Sequence, residues 1–297
     1  MSVPVSRRPY TASQHNLERA LSVLYAGGWS AWLWARVPGA TRVALIEHTL
    51  AIPGRDKGRP PLRIAFASDL HLGPTTPPEV LDAAFVQLRA ANADVLALGG
   101  DYVFLGATKD RVTELQARVS ALPSPVKLAV LGNHDFWARP ERLEDGLTEA
   151  GVRVLVDDSL RLPPPHDDVA IIGLDDPLTS LSLPDKIAQQ EAVDAALARV
   201  ADVPIKIALC HSPDGYPEVK GRGVQLLLCG HTHGGHIALP GYRPLWVPSP
   251  HGRLWPFGRH EVDGLTIFVS RGVGGSLVPM RTYAPPDVAV FTITSLP

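Results

Sequence analysis

Nine short apolar runs constrain this chain most: 62–67, 94–98, 126–131, 152–156, 169–172, 205–209, 224–228, 266–269 and 288–292. Most are rich in Val, Ile and Leu and nearly continuous, so they have no polar face to offer water. Runs of this kind are central strands of a covered sheet. Between several of them lie helical patterns at 79–91, 109–122, 140–150 and 187–200; in the first, Leu81, Ala84, Phe85 and Leu88 recur at the spacing of one helix face. Strands alternate with helices in the first half and follow one another with little helix in the second. This predicts an α/β fold, a layered sandwich with mixed sheet. At 297 residues, 45% hydrophobic and 20% charged, the chain has enough apolar material for one large domain with an N-terminal appendage. The composition excludes disorder, collagen and coiled coil.

Polar residues follow five of these runs immediately. Run 62–67 leads into Ser68-Asp69-Leu70-His71, and run 94–98 into Gly99-Gly100-Asp101. Run 126–131 leads into Gly132-Asn133-His134-Asp135, run 205–209 into Cys210-His211, and run 224–228 into Cys229-Gly230-His231-Thr232-His233. The carboxyl edge of an α/β sheet is where ligands bind. Any one of these pieces reads equally well as a turn or a hydrogen-bonded structural residue. Together, with His134 and Asp135 set aside, they supply two Asp, one Asn and four His. That nitrogen and oxygen donor set suits two divalent ions better than a thiolate zinc site.

The ordered motifs from Ala67 to His233 resemble those of the calcineurin-like metallophosphoesterases. The resemblance implies a four-layer αββα sandwich and two divalent metal ions, of Mn, Fe, Zn or Mg. It implies that Asp69, His71 and His233 hold the first metal, that Asn133, His211 and His231 hold the second, and that Asp101 bridges them. It also implies that His134 protonates the leaving oxygen while Asp135 fixes its tautomer, and that a metal-bridging hydroxide attacks in line without a covalent enzyme intermediate.

The carboxy-terminal third narrows the resemblance. Gly230-His231-Thr232-His233-Gly234-Gly235, Leu239-Pro240-Gly241, Ser270-Arg271-Gly272-Val273-Gly274, Arg281 and Pro285-Pro286-Asp287 resemble the YaeI-like bacterial phosphoesterases, a branch with phosphodiesterases and lipid-directed pyrophosphatases. His236 departs from the Gln expected in much of that branch, and an outer position around the metals, or no role, is expected of it. Segment 241–260 is basic and aromatic with no acidic residue, and reads either as a cover for an anionic, partly apolar substrate or as a structural loop. Arg271 and Arg281 read equally as phosphate contacts or surface ion pairs. Cys210 and Cys229 are expected in the core, and Asp175 and Asp176 are expected to shape their loop.

With 28 Lys and Arg against 30 Asp and Glu, the net charge of −2 provides no field for a nucleic-acid polymer. Charge is nevertheless segregated: residues 1–42 hold Arg7, Arg8, Arg19, Arg36 and Arg42 against Glu18 alone. Within them Trp29, Trp32 and Trp34 lie in an apolar stretch too short and interrupted to span a bilayer. It reads first as an interfacial helix giving peripheral membrane contact through residues 16–37, second as a helix docked on the domain, and third as an export signal, Ser6-Arg7-Arg8-Pro9-Tyr10 resembling a twin-arginine motif. Residues 43–297 then form the metallophosphoesterase domain, with a strand starting near Ala44. The expected activity is dinuclear metal-dependent hydrolysis of a phosphodiester or pyrophosphate in a lipid-linked or nucleotide-like substrate, in the cytoplasm at the membrane surface. The competing readings are a cytosolic cyclic-nucleotide or generic phosphodiesterase and a non-catalytic metal-binding scaffold.

Overall fold

In the computed structural model, which describes residues 12–177 and 183–296, the apolar runs become two six-stranded sheets laid face to face. The first contains β1 (Ala44–Ala51), β2 (Leu62–Ala67), β3 (Val95–Leu98), β4 (Val126–Ala129) and β5 (Arg153–Val154), with β14 (Asp287–Thr294) inserted between β1 and β2. The second contains β6 (Asp158–Arg161), β7 (Val169–Gly173), β8 (Ile205–Leu209), β9 (Leu226–Cys229), β12 (Gly258–Val262) and β13 (Leu265–Val269), in spatial order β12-β13-β9-β8-β7-β6. A hairpin of β10 (Ala238–Leu239) and β11 (Arg243–Pro244) stands apart. Both sheets are mixed. β2 to β5 run parallel, as do β7, β8, β9 and β13, while β14 is antiparallel to β2, and β6 and β12 are antiparallel edges.

Alternation along each strand sorts side chains into layers. In β2, Ile64 and Phe66 enter the core between the sheets, while Ala65 and Ala67 join the core beneath the helices. Phe66 and Phe291 of the first sheet meet Phe268 of the second edge-on, with ring centroids 6.2 and 5.1 Å apart. Ahead of the domain stand α1 (Ala12–Leu24) and α2 (Trp29–Arg36). Helices α3 (Pro78–Ala90), α4 (Lys109–Ser120), the short α5 (Asn133–Trp137) and α6 (Pro140–Glu149) belong to the first half. There α3, α4 and α6 bury Leu81, Leu115 and Leu143 against the first sheet. α7 (Leu183–Ala198) and α8 (Tyr216–Val219) cover the second sheet through Val193 and Val219, and α9 (Pro250–Leu254) follows β11. The result is the layered α/β sandwich with mixed sheets read from the sequence, in the four-layer αββα form that the family resemblance implies.

Two differences from the sequence reading have a physical cause. Run 152–156 gives only the two residues of β5 before the chain turns at Asp157, which has φ 44°, into β6. β6 and β12 are edge strands whose residues alternate in exposure, and they lack the continuous apolar run that marks a central strand. Cys210 and Cys229 are free thiols buried in the core between the second sheet and its helices. Asp175 shapes its turn by donating its amide to Asp157 and accepting that of Asp176.

The amino-terminal helices are docked by one face. Trp34 is 1% exposed within the core of the first sheet, and its indole N–H donates to the Ala40 carbonyl at 2.9 Å. The Tyr25 hydroxyl donates to the Leu277 carbonyl at 2.8 Å. Trp29, Trp32 and Leu33 remain exposed. Among the described residues no helix is long and apolar enough to cross a membrane. Residues 6–10 lie outside the described residues.

Candidate metal centre

The parallel strands of both sheets end at one rim, and five of them deliver the predicted ligands there. Asp69 and His71 follow β2, Asp101 follows β3, Asn133 opens α5 after β4, His211 follows β8, and His231 and His233 follow β9. All seven are buried. Nδ1 of His211 lies 2.8 Å from the Gly99 carbonyl, and the His231 amide donates to the Asp69 carboxylate at 3.1 Å, so the sheets are cross-linked at the site.

The donor atoms form two adjoining clusters, and His134 joins His71 and Asp101 in a third that overlaps both. Asp69, His71 and His233 bring one ligand atom each within 4.8 Å of one another, and Asp101, His211 and His231 do the same. Asp101 Oδ2 is 3.6 Å from His71 Nε2 and 3.2 Å from His211 Nε2, which places it between the clusters. His233 Nε2 is 3.3 Å from Asp69 Oδ1 and 3.1 Å from His71 Nε2, and His231 Nδ1 is 3.2 Å from His211 Nε2.

Such convergence requires unusual backbone. Asp69, His71, Asp101, His231 and His233 all have positive φ, at 56°, 45°, 55°, 68° and 52°. Each left-handed residue other than glycine costs on the order of 1–3 kcal/mol, and such strain collects where function over-determines the chain. Close glycines make the turns possible: a Cβ on Gly230 would collide with Ser68 and the Asp69 carboxylate, and one on Gly132 with the Asp101 carboxylate.

The electrostatics match the donor set. Burial pulls the pKa of His71 and His231 down to about 3 and that of His233 well below its ordinary value, so these rings are neutral and present lone pairs. Burial raises the Asp69 pKa to about 6. At Asp101 burial acts the same way, but the charge and hydrogen bond of His211 outweigh it and hold this carboxyl ionised. Asn133 Oδ1 is buried without a hydrogen-bond partner. Against the effect of burial, Asp101 and Asp69 raise the pKa of His211 well above its ordinary value, so this ring alone of the four holds a proton, which a divalent cation would replace. The unsatisfied amide oxygen of Asn133, at the same rim, is a further donor such a cation would take up.

These motifs fall inside residues 62–235, which match the family model for calcineurin-like phosphoesterases. The chain belongs to that family. Calcineurin-like phosphoesterases hydrolyse phosphoric esters at a dinuclear divalent metal centre, and the Asp and His clusters here fit that centre. The chain is 28% identical to metallophosphoesterase YkuE of Bacillus subtilis, over 98% of each chain. It is 26% identical to phosphodiesterase YaeI of Escherichia coli, over 84% of this chain and 87% of YaeI. It is 24% identical to the UDP-2,3-diacylglucosamine pyrophosphatase LpxG of Chlamydia trachomatis, over 91% of this chain and 95% of LpxG.

The residues around the cluster fill in this phosphoesterase site. The half-buried His134 ring meets His71, Phe104 and Trp137 edge-on at 5.0, 5.4 and 4.7 Å, and its amide donates to Asp101 Oδ1 at 2.8 Å. Asp135 corrects an expectation. Instead of fixing the His134 tautomer, its carboxylate accepts the backbone N–H groups of Asp101, Tyr102 and Gly132 at 2.7, 2.8 and 2.9 Å, tying two ligand loops together. Its short side chain sits at the third helical position, where it turns back onto backbone.

Arg271 and Arg281 are not surface ion pairs, since both are buried. Arg271 pairs with buried Asp287 at 2.9 Å, while Arg281 spends its guanidinium on backbone carbonyls and on Nδ1 of His233 at 2.9 Å. Motif spacing gave no sign of that contact. His236 stacks on His233 with centroids 4.0 Å apart and sets Nε2 3.1 Å from the Ser276 hydroxyl, outside both clusters. Segment 241–260 is fastened to the site, since Thr232 donates to the Pro256 carbonyl at 2.7 Å and Gly252 packs against Thr232.

Proposed function

We propose that Asp69, His71 and His233 hold one divalent ion, that Asn133, His211 and His231 hold the other, and that Asp101 lies between them. The carrying observation is the convergence of the buried Asp and His donors, with Asn133 Oδ1 left unpaired at the same rim. When bound, the two ions supply positive charge for the phosphoryl oxygens and acidify water for attack. The protein holds this donor set rigidly through the hydrogen bonds of Asp135 and the left-handed turns. His134, beside the first cluster and only half-buried, delivers a proton to the departing oxygen.

The substrate in this reading is a lipid-linked or nucleotide-like phosphodiester or pyrophosphate. The relatives YaeI, a phosphodiesterase, and LpxG, a pyrophosphatase of a diacylated sugar nucleotide, support it. So do the exposed Trp29, Trp32 and Leu33 within residues 16–37, which suit peripheral contact with the cytoplasmic membrane surface. Residues 1–42 then act as a membrane-directed segment ahead of a catalytic domain at 43–297.

Stripping the protein of metal and restoring Mn²⁺ tests the chemistry. Hydrolysis of an aryl phosphodiester falls at least ~100-fold on stripping and returns with the ion. Hydrolysis indifferent to metal would refute the assignment. A panel of lipid pyrophosphates, phospholipids and cyclic nucleotides, assayed with metal present, then separates the substrate classes.

A further inference from the structure

Exposed large apolar side chains are not scattered over this molecule. Among the described residues, all but Leu45, Val86, Ile187 and Leu296 belong to four segments: 12–37, the end of α5 at Trp137, 239–254 and 277–283. These segments are joined around the metal-ligand cluster. Tyr25 bonds to Leu277, and its ring meets Phe104 at 6.4 Å; Phe104 in turn touches both His71 and His134. The His134 ring abuts Trp137. Next to Leu277, Ser276 reaches His236, and the strand after His236 pairs with Thr282 through the Ala238 amide at 2.9 Å. Gly235 lies against the Trp246 carbonyl, closing the ring on the hairpin side.

Charge on this ring has one sign. Arg19, Arg36, Arg42, Arg139, Arg243 and Arg253 are exposed on or beside its segments. In residues 12–42, 136–140, 236–257 and 271–286 the sole acidic residue is the half-buried Glu18, apart from which these stretches carry no carboxylate. The Arg36 guanidinium lies 3.5 Å over the Trp32 ring, an amphipathic pair suited to a headgroup layer.

We infer that this ring docks the molecule on an anionic lipid bilayer with the mouth of the metal centre facing the membrane. The inference rests on the lipid-linked substrate reading and extends the contact from residues 16–37 to loops far away in sequence. A bilayer is favoured over a second copy of the chain by charge: a two-fold interface would press the arginines of one ring onto those of the other. Anionic headgroups instead attract each of them. An enzyme held in this way takes a phosphoester at headgroup depth without lifting acyl chains into water.

Flotation of the metal-loaded full chain tests it, using pure phosphatidylcholine vesicles and vesicles doped with phosphatidylglycerol. The protein floats with the anionic vesicles and not with the neutral ones, and added salt weakens binding. Trp32→Ala with Leu33→Ala, and separately Arg36→Glu with Arg243→Glu, each lower partitioning by about tenfold. Both pairs keep the melting temperature and the hydrolysis of a soluble aryl phosphodiester. Absence from both vesicles, equal binding by both variants, or a dimer in sedimentation that the Trp32→Ala and Leu33→Ala pair dissolves would each overturn the inference. Vesicle binding by a protein inert toward every phosphoester would leave the docking face standing and remove the enzymatic reading, so the two fail separately.

Discussion

Asn133 and Gly230 test the site in different ways. Asn133→Ala removes the unpaired buried oxygen without disturbing a hydrogen bond to that atom, so the fold persists while the second ion is lost. Elemental analysis should show about one equivalent of metal retained, with hydrolysis reduced at least ~100-fold. Gly230→Ala leaves every ligand in the sequence but drives a methyl into Ser68 and Asp69, so metal retention falls although no donor is missing. Retention equal to wild type in Gly230→Ala would contradict the close packing. The donor types at this site were legible in the sequence because chemistry restricts them to Asp, Asn and His at strand ends. The bonds of Asp135 to backbone and the burial of Arg281 against His233 were not, since both depend on loops brought together only by the folded sheets.

At the scale of elements, the turn between β5 and β6 stores a titratable penalty. Burial, aided by Asp175 and Glu218, raises the Asp157 pKa from 3.8 to about 7, and its Oδ2 has no partner. The folded chain therefore keeps a proton that the unfolded chain releases above ~pH 4, and this group's contribution to stability declines from ~pH 4 to ~pH 7 and then levels. Asp157→Asn removes that slope: the variant gains on wild type by about 2 kcal/mol between ~pH 5 and ~pH 8 in urea unfolding. An unchanged difference between the two proteins across that range would rule the effect out. The turn illustrates what sequence patterns conveyed at this scale. Central strands and the helices α3, α4 and α6 announced themselves by continuous or 3.6-period apolarity, with ends within a few residues. The edge strands β6 and β12 did not, because one of their faces meets water and their polar residues blur the signal.

For the whole molecule, the amino-terminal helices serve two surroundings. Trp34→Ala opens a void in the core of the first sheet and costs about 3–5 kcal/mol in denaturant unfolding, whereas Trp32→Ala, two positions away but exposed, changes stability by less than ~0.5 kcal/mol. Deleting residues 1–42 consequently lowers the melting temperature in addition to any loss of lipid contact. Equal stability of the two tryptophan variants would show that the helices are not docked as described. Strand order carries a different consequence. β14 sits between β1 and β2, so the neighbour of the strand that presents Asp69 and His71 is made long after it. On the ribosome, β2 waits with one edge open until residues 287–294 have been made, and such non-local pairing is slow. If Asp69 and His71 hold metal as proposed, the strand that presents them gains its second neighbour only after more than 200 further residues, and an edge-binding chaperone has that interval in which to act.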